Sequence, residues 1–287
     1  MSFRAWIVAL RVCVSAVLLS RGWLTFQWDS PIRSLLWHED WLAAPLGFFG
    51  VSWEEYALYS GPYLDVTFQI IGILLMALSL LPWLLPLGKA VNWLWVAVAI
   101  LAVDSIGRWI GAGYDLGMAI EHSLQMGAPV ALWLALRRPE NDRFWLGFVL
   151  LASALTFVGH GLYAVGFHPV PLSYQTMTMA ILGIGTDSAI VFLKVVGWLD
   201  FVAAVGIFFP MTRIPALAYM VVWGGATAAA RVVSHAGFDQ PLLGLDPWLA
   251  ETLVRTPHWL LPLLAIFVVR GLKRGFGNAG AESVPTT

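Results

Sequence analysis

Charge is what this sequence has least of. Asp, Glu, Lys and Arg together make up 11% of its 287 residues, where a water-soluble domain carries roughly a quarter. A surface so poor in charge must face something other than water, and lipid is the plain candidate. Cysteine is almost missing as well. Cys13 stands alone, which excludes an internal disulfide, a CxxC redox pair and thiol relay chemistry. The chain contains no CxxCH, no HExxH and no Glu-x-x-His spacing, so the common haem and metal motifs lack their ligands. With a net charge of −1, it also lacks the basic face that nucleic-acid binding requires.

What is present is apolar. Hydrophobic residues are 59% of the chain and the mean hydropathy is +0.78. Sixteen Trp and seven Tyr fit a protein with two membrane interfaces, where both residue types gather. A helix needs about 20 mostly apolar residues to cross the hydrocarbon core. Eight stretches qualify by pattern: about 5–28, 63–86, 90–112, 118–136, 144–167, 189–210, 215–236 and 251–270. The first is too long for a secretory signal, holds Arg11 and Arg21, and lacks a small-residue cleavage site. It therefore reads as a retained helix.

The basic residues test this count independently. Arg4, Lys89, Arg137, Arg138, Arg143, Arg213, Arg270, Lys273 and Arg274 fall at the ends of the chain or in the even-numbered connections; the opposite connections hold only Arg33. Those opposite connections are acidic instead, with Asp29, Glu39, Asp40, Glu54, Glu55, Asp115, Asp187, Asp239 and Asp246. Positive charge stays in the cytoplasm during insertion, which predicts both termini inside. Two outer connections are long, 29–62 and 168–188, and mix aromatic, apolar and polar residues. They are expected to carry amphipathic segments in the interface plane. The tail at 275–287 reads as disordered.

The halves resemble each other. Arg21-Gly22 near the end of the first span matches His160-Gly161 near the end of the fifth. Gln69 to Gly72 matches Lys194 to Gly197, Lys89 matches Arg213, Arg108 matches Arg231, and Glu121 matches Glu251. Charges at matching depth predict a parallel internal repeat, with units at 1–138 and 139–274. The expected fold is all-α: a polytopic transmembrane helix bundle, eight spans as two pseudo-repeated four-helix units.

His160 to Tyr163, the loop with Pro169 and Pro171, Phe192 to Asp200, Gly206 to Phe209, and Thr212-Arg213 with Ala216-Leu217 together resemble the DoxX-like integral membrane proteins. The likeness covers residues 144–236; residues 5–136 share it only through the repeat, with Arg21 where that family has His. Asp200 stands where it usually has Glu, and a tandem of two units departs from its single-unit pattern. The resemblance implies a bacterial cytoplasmic (inner) membrane and a quinone-linked redox protein or accessory membrane subunit, with a quinone or other small lipophilic ligand and a redox partner protein. A small-molecule or lipid transporter, or a non-catalytic assembly partner, stays open beside it.

Polar groups inside a bilayer are costly, roughly 2.5–3.5 kcal/mol each at the centre on insertion scales, so those retained are the candidates. Asp104 and Arg108 are one turn apart and can neutralise each other. Arg231 and His235 are both donors and need an acceptor from another helix, for which Glu251 lies at the right depth. Glu251, Arg255 and His258 share a stripe. Lys194 and Asp200 lie about 240° apart on their helix and should face different neighbours; Asp200, about ten residues from each end of its span, is either a packing acid or a proton-handling one. Asp65 and Glu121 open their helices and read first as caps. An axial pair for haem is geometrically open to His122, His160, His235 and His258, but single helical histidines are more often packing residues, so haem is disfavoured and no metal is expected. Gly161 allows close approach beside His160 and Tyr163. Pro257 and Pro262 should bend the last span. The expected pocket is built by His160, Tyr163, Asp200, Arg231 and Glu251, with Arg21, Arg108, Glu121, Lys194, His235 and His258 as further candidates.

Overall fold

A computed structural model of the chain describes residues 2–84, 89–137, 142–235 and 245–271. The tail at 275–287, the unit boundary at 138–139, and Arg138, Asp239, Lys273 and Arg274 lie outside them. Every element among the described residues is helical. In chain order they are α1 (Phe3–Gln27), α2 (Ile32–Leu36), α3 (Glu39–Phe48), α4 (Trp53–Tyr59), α5 (Gly61–Leu78) and α6 (Leu81–Leu84). After a 3-10 turn at Lys89–Trp93 come α7 (Leu94–Gly111), α8 (Leu116–Glu121), α9 (Ser123–Arg137), α10 (Asp142–Ala164) and α11 (Leu172–Leu182). The last four are α12 (Thr186–Gly206), α13 (Arg213–His235), α14 (Trp248–Leu253) and α15 (Thr256–Val269).

Seven stretches are long and apolar enough to cross a membrane: Phe3–Gln27, Gly61–Leu84, Val91–Gly111, Asp142–Ala164, Thr186–Gly206, Arg213–His235 and Trp248–Val269. The protein is thus suited to a lipid bilayer as a multi-pass membrane protein. The segment expected as a fourth span is different. Its helix breaks at His122 (φ −89°, ψ 7°), leaving six residues in α8 and 15 in α9. Glu121, His122 and Gln125 are buried polar side chains at this break, and they lower the apolar character of the segment. The last span breaks in the same way, at Arg255 (φ −92°, ψ 6°). Pro257 does not bend a continuous helix there; it sits in the first turn of α15, where a missing N–H leaves no hydrogen bond unmade.

α1, α9, α10 and α15 form the middle of the bundle. Leu10, Val14 and Val17 of α1, Ala131 and Leu132 of α9, Val149 of α10, and Leu261 and Leu264 of α15 meet there, all fully buried. Around them α5 packs on α1, α12 on α10, α7 on α9 and α13 on α15. The outward faces are apolar: Ile70 and Ile73 of α5, Trp198 and Val202 of α12, and Val222 and Val233 of α13 are all exposed. Water would penalise so continuous an apolar surface; lipid does not.

Two pairs of helices approach backbone to backbone. A Cβ on Gly22 would lie 2.7 Å from the Gly72 carbonyl oxygen, and one on Gly72 would lie 2.7 Å from that of Gly22. On the other side a Cβ on Gly161 would lie 3.0 Å from the Gly197 carbonyl oxygen. Small residues permit this proximity. Gly197 is well inside α12 whereas Gly161 is in the last turn of α10, so α12 continues far past the end of its partner. α11 folds back onto the projecting part of α12 and onto α13, and these elements border a half-open space. α12 also starts and stops earlier than expected. It ends at Gly206, where the Thr212 hydroxyl donates to the Gly206 carbonyl at 2.7 Å and Arg213 Nε to that of Ile207 at 2.8 Å. Asp200 is therefore six residues from one end of its helix and fourteen from the other, not midway.

Candidate functional site

Two polar constellations lie within the apolar bundle. The first occupies the middle, where α1, α7, α8, α9, α10, α14 and α15 converge. Arg21, 2% exposed, donates to Gln125 Oε1 at 2.9 Å and lies 3.5 Å from Asp104 Oδ2. Arg108 Nε donates to the same Asp104 oxygen at 3.1 Å. One carboxylate thus serves two guanidinium groups, and the one-turn spacing of Asp104 and Arg108 is only part of the arrangement. Glu121 does not cap a helix. It ends α8 and meets His160 Nε2 at 3.1 Å, with both residues buried. Glu251 is not the acceptor for Arg231 or His235; it pairs with Arg255, one turn away on the same segment, because that guanidinium reaches it without crossing to another helix.

Several buried donors and acceptors in this core have no partner: Arg21 Nη1, Arg255 Nε, His122 Nδ1, Ser20 Oγ and both ring nitrogens of His258. His258 is wholly buried, and its ring centroid lies 5.3 Å from that of His160. Buried polar atoms are costly unless satisfied, and water is the ordinary satisfier in a polar interior. Among the described residues no three His, Cys, Asp or Glu side chains are placed to share a metal ion.

The second constellation is a half-open cavity of about 250 Å³ bordered by α10, α11, α12 and α13. Its wall is mostly apolar, with Met177, Ile181, Phe192, Leu193, Val196 and Trp223, and its polar groups are His160, Tyr174, Thr178, Asp200, Thr227 and Arg231. At one end Asp200, 1% exposed, accepts a hydrogen bond from Tyr219 Oη at 2.8 Å. Tyr219 and Arg231 are twelve residues apart on α13, a rise of roughly 18 Å, so Arg231 marks the opposite end. His160 lies between them, near the Gly161–Gly197 crossing. Half-buried Tyr174 reaches the cavity from α11, and burial pushes its phenol above the usual range, which keeps it a neutral O–H donor. Removing the donor to Asp200 with Tyr219→Phe should cost about 1–3 kcal/mol, read as a lower unfolding temperature in detergent. Unchanged stability would mean that Asp200 does not depend on that hydroxyl.

Of the five residues expected to build the pocket, His160, Asp200 and Arg231 do line it. Tyr163 does not. It packs under α8, where a Cβ on Gly117 would lie 2.8 Å from its ring, and its hydroxyl donates to Asp115 at 3.3 Å. Asp115 also meets His168 Nδ1 at 3.2 Å, while His168 Nε2 accepts the Gly117 N–H at 3.2 Å; the proton of a neutral His168 must then sit on Nδ1. Lys194 is exposed on the outer side of α12, away from Asp200, as the 240° separation required. His235 stacks on Trp248 at 3.6 Å. Gly161 is filled by helix contact, since a Cβ there would lie 2.7 Å from the Phe201 ring, and so it is a packing glycine. Glu251 and Arg108 face a separate open crevice of about 650 Å³ with Trp28, Trp37 and Trp248. Tyr174, Phe192 and Trp223 also line the cavity and are not among the expected pocket residues. Tyr174 carries a signal in the amphipathic composition of its loop and Phe192 in the DoxX-like stretch that it opens; Trp223, among so many aromatic residues, carries none. Compared with family models, curated proteins and solved structures, this chain matches none.

Proposed function

We propose that this chain is an eight-crossing membrane protein of two pseudo-repeated four-helix units, about 1–138 and 139–274, that takes a small lipophilic molecule into the cavity of its second unit. The repeat is supported by contacts that occur twice. α5 on α1 corresponds to α12 on α10, and α7 on α9 corresponds to α13 on α15. Gly22–Gly72 corresponds to Gly161–Gly197. The broken helix after Glu121 corresponds to the one after Glu251. Trp6 and Trp145, separated by the same interval as Arg21 and His160, touch each other with ring centroids 4.8 Å apart, as residues beside a pseudo-two-fold axis would.

The observation that carries the ligand reading is the cavity itself: a half-open, mostly apolar pocket with donors at Arg231, His160 and Tyr174 and an acid at Asp200. Ligand sites are typically concave, mostly apolar and marked by a few convergent polar groups. The DoxX-like resemblance makes a quinone the first class to test, and a quinone-linked redox protein or accessory subunit of the bacterial cytoplasmic (inner) membrane the first role. Mass spectrometry of small molecules extracted from gently purified protein tests it. A lipophilic compound should co-purify and should be lost from Ala226→Trp, which fills the cavity wall. Protein that carries the same compounds with and without that substitution would refute the reading.

A carrier is the second reading, favoured by the two broken helices. Discontinuous spans that bring polar termini to mid-membrane are a recurrent device of transporters. Flux of the bound compound in proteoliposomes, abolished by Asp200→Asn, would favour it over a static site.

A further inference from the structure

Arg21 and Arg231 are buried in the bundle and Arg108 and Arg255 are half-buried; three of these four have carboxylates, Arg21 and Arg108 sharing Asp104 and Arg255 having Glu251. Arg231 is the exception among them. It is 7% exposed, and its one hydrogen bond is Nη1 to the backbone carbonyl of Thr227 at 2.6 Å. No carboxylate among the described residues lies within ion-pair distance of it. Glu251 and Glu121 are engaged with Arg255 and His160, and Asp200 is at the far end of the cavity with Tyr219. Glu251 and Glu121 act on it only from beyond ion-pair distance, and Arg255 opposes them; a buried guanidinium with no direct counter-ion costs several kcal/mol unless an anion compensates it. Arg231 also lines the cavity, so its remaining N–H donors are next to the space a ligand would fill.

We infer that the cavity takes an amphiphile with an anionic head: a carboxylate or phosphate received by Arg231, with Tyr174 as a second donor, and a single apolar chain or ring laid along Phe192, Leu193, Val196 and Trp223 towards Asp200. The planar fork of Arg matches carboxylate and phosphate oxygens pairwise. A neutral quinone carbonyl would accept hydrogen bonds there and leave the charge uncompensated. About 250 Å³ accommodates one chain or ring; a two-chain lipid is far larger. Asp200 at the distant end disfavours the reverse orientation, since it would face the anion with a second acid. This inference rests on the cavity being a ligand site and narrows which ligand it takes.

Photo-crosslinking in nanodiscs with a diazirine analogue of palmitate tests it. Label is expected on peptides of α12 and α13 around Phe192 and Trp223. Palmitate should compete at least about tenfold better than methyl palmitate, its uncharged isostere, because a charge-assisted contact of about 1.5–3 kcal/mol is lost in the ester. Arg231→Gln should abolish that preference, so that palmitate and its methyl ester compete equally, and Arg231→Lys should retain part of it. If Arg231→Gln does not fold, the acid-to-ester ratio on the wild-type chain still decides. Better competition by lysophosphatidate than by palmitate would assign the head to a phospholipid and sustain the inference. Equal competition by acid and ester would overturn it and leave the ligand site standing. Label that never reaches α12 or α13, with any probe, would remove both.

Discussion

Replacing Asp104 with Asn should destabilise this protein more than any other single loss of charge. The substitution keeps the shape and removes the carboxylate that, among the described residues, lies within ion-pair distance of both Arg21 and Arg108. Arg21 is 2% exposed and Asp104 4%, so the Arg21 guanidinium cannot turn to water without opening α1, α7 and α9, whereas Arg108 reaches the open crevice. Breaking a buried pair by removing one partner costs about 3–5 kcal/mol, and Arg21 is the partner left stranded. The expected observation is a large fall in unfolding temperature, or in the SDS fraction needed to unfold the protein, together with partial rescue by Arg21→Gln in the same chain. An Asp104→Asn variant that unfolds with the wild type would mean that water, rather than the carboxylate, compensates these arginines.

Packing gives the second large effect. Gly72→Val should weaken the α1–α5 contact by about 1–3 kcal/mol or more. Its Cβ would meet the Gly22 carbonyl oxygen, the Phe26 Cβ and the Phe26 amide nitrogen, all at 2.7 Å, and backbone cannot swing aside as a flexible side chain can. Gly147 is the control. Nothing lies within 4 Å of a Cβ placed there, and it sits inside α10, so Gly147→Ala should be neutral or stabilising by up to about 1 kcal/mol. Thermal unfolding of the two variants side by side separates a crossing that requires glycine from a glycine that merely weakens a helix. Equal behaviour would contradict the close approach of α1 and α5.

The apolar runs were legible because a crossing helix is written locally, in length and hydropathy. Seven of the eight expected stretches coincide with helices of sufficient length. The eighth was marked by apolar content, yet its Glu121-His122 pair interrupts it, and that interruption takes its meaning from His160 on another helix. Local pairing was readable for the same reason: Asp104 with Arg108 follows from one turn of separation. Arg21 joining them, or Glu121 crossing to His160, depends on which helices become neighbours, and spacing along the chain carries no such information. The pattern puts Asp200 too centrally because it carries the span on to Pro210; the Thr212 and Arg213 side chains close the helix at Gly206. Tyr163 is grouped with His160 by proximity in sequence; both turns of α10 meet α8, but only His160 also reaches the cavity.

The break at His122 bears on biosynthesis. Residues 116–137 bring Glu121, His122 and Gln125 into the bundle with too little apolar length to favour lipid strongly on their own. Gln125 is matched by Arg21, which is translated long before it, but Glu121 is matched by His160, which emerges about forty residues later. A nascent chain halted before α10 would hold an uncompensated acid at the point where the translocon sorts segments into lipid. The segment's commitment to the membrane is therefore a joint decision of three helices, and the order in which the ribosome delivers them becomes part of how this fold is made.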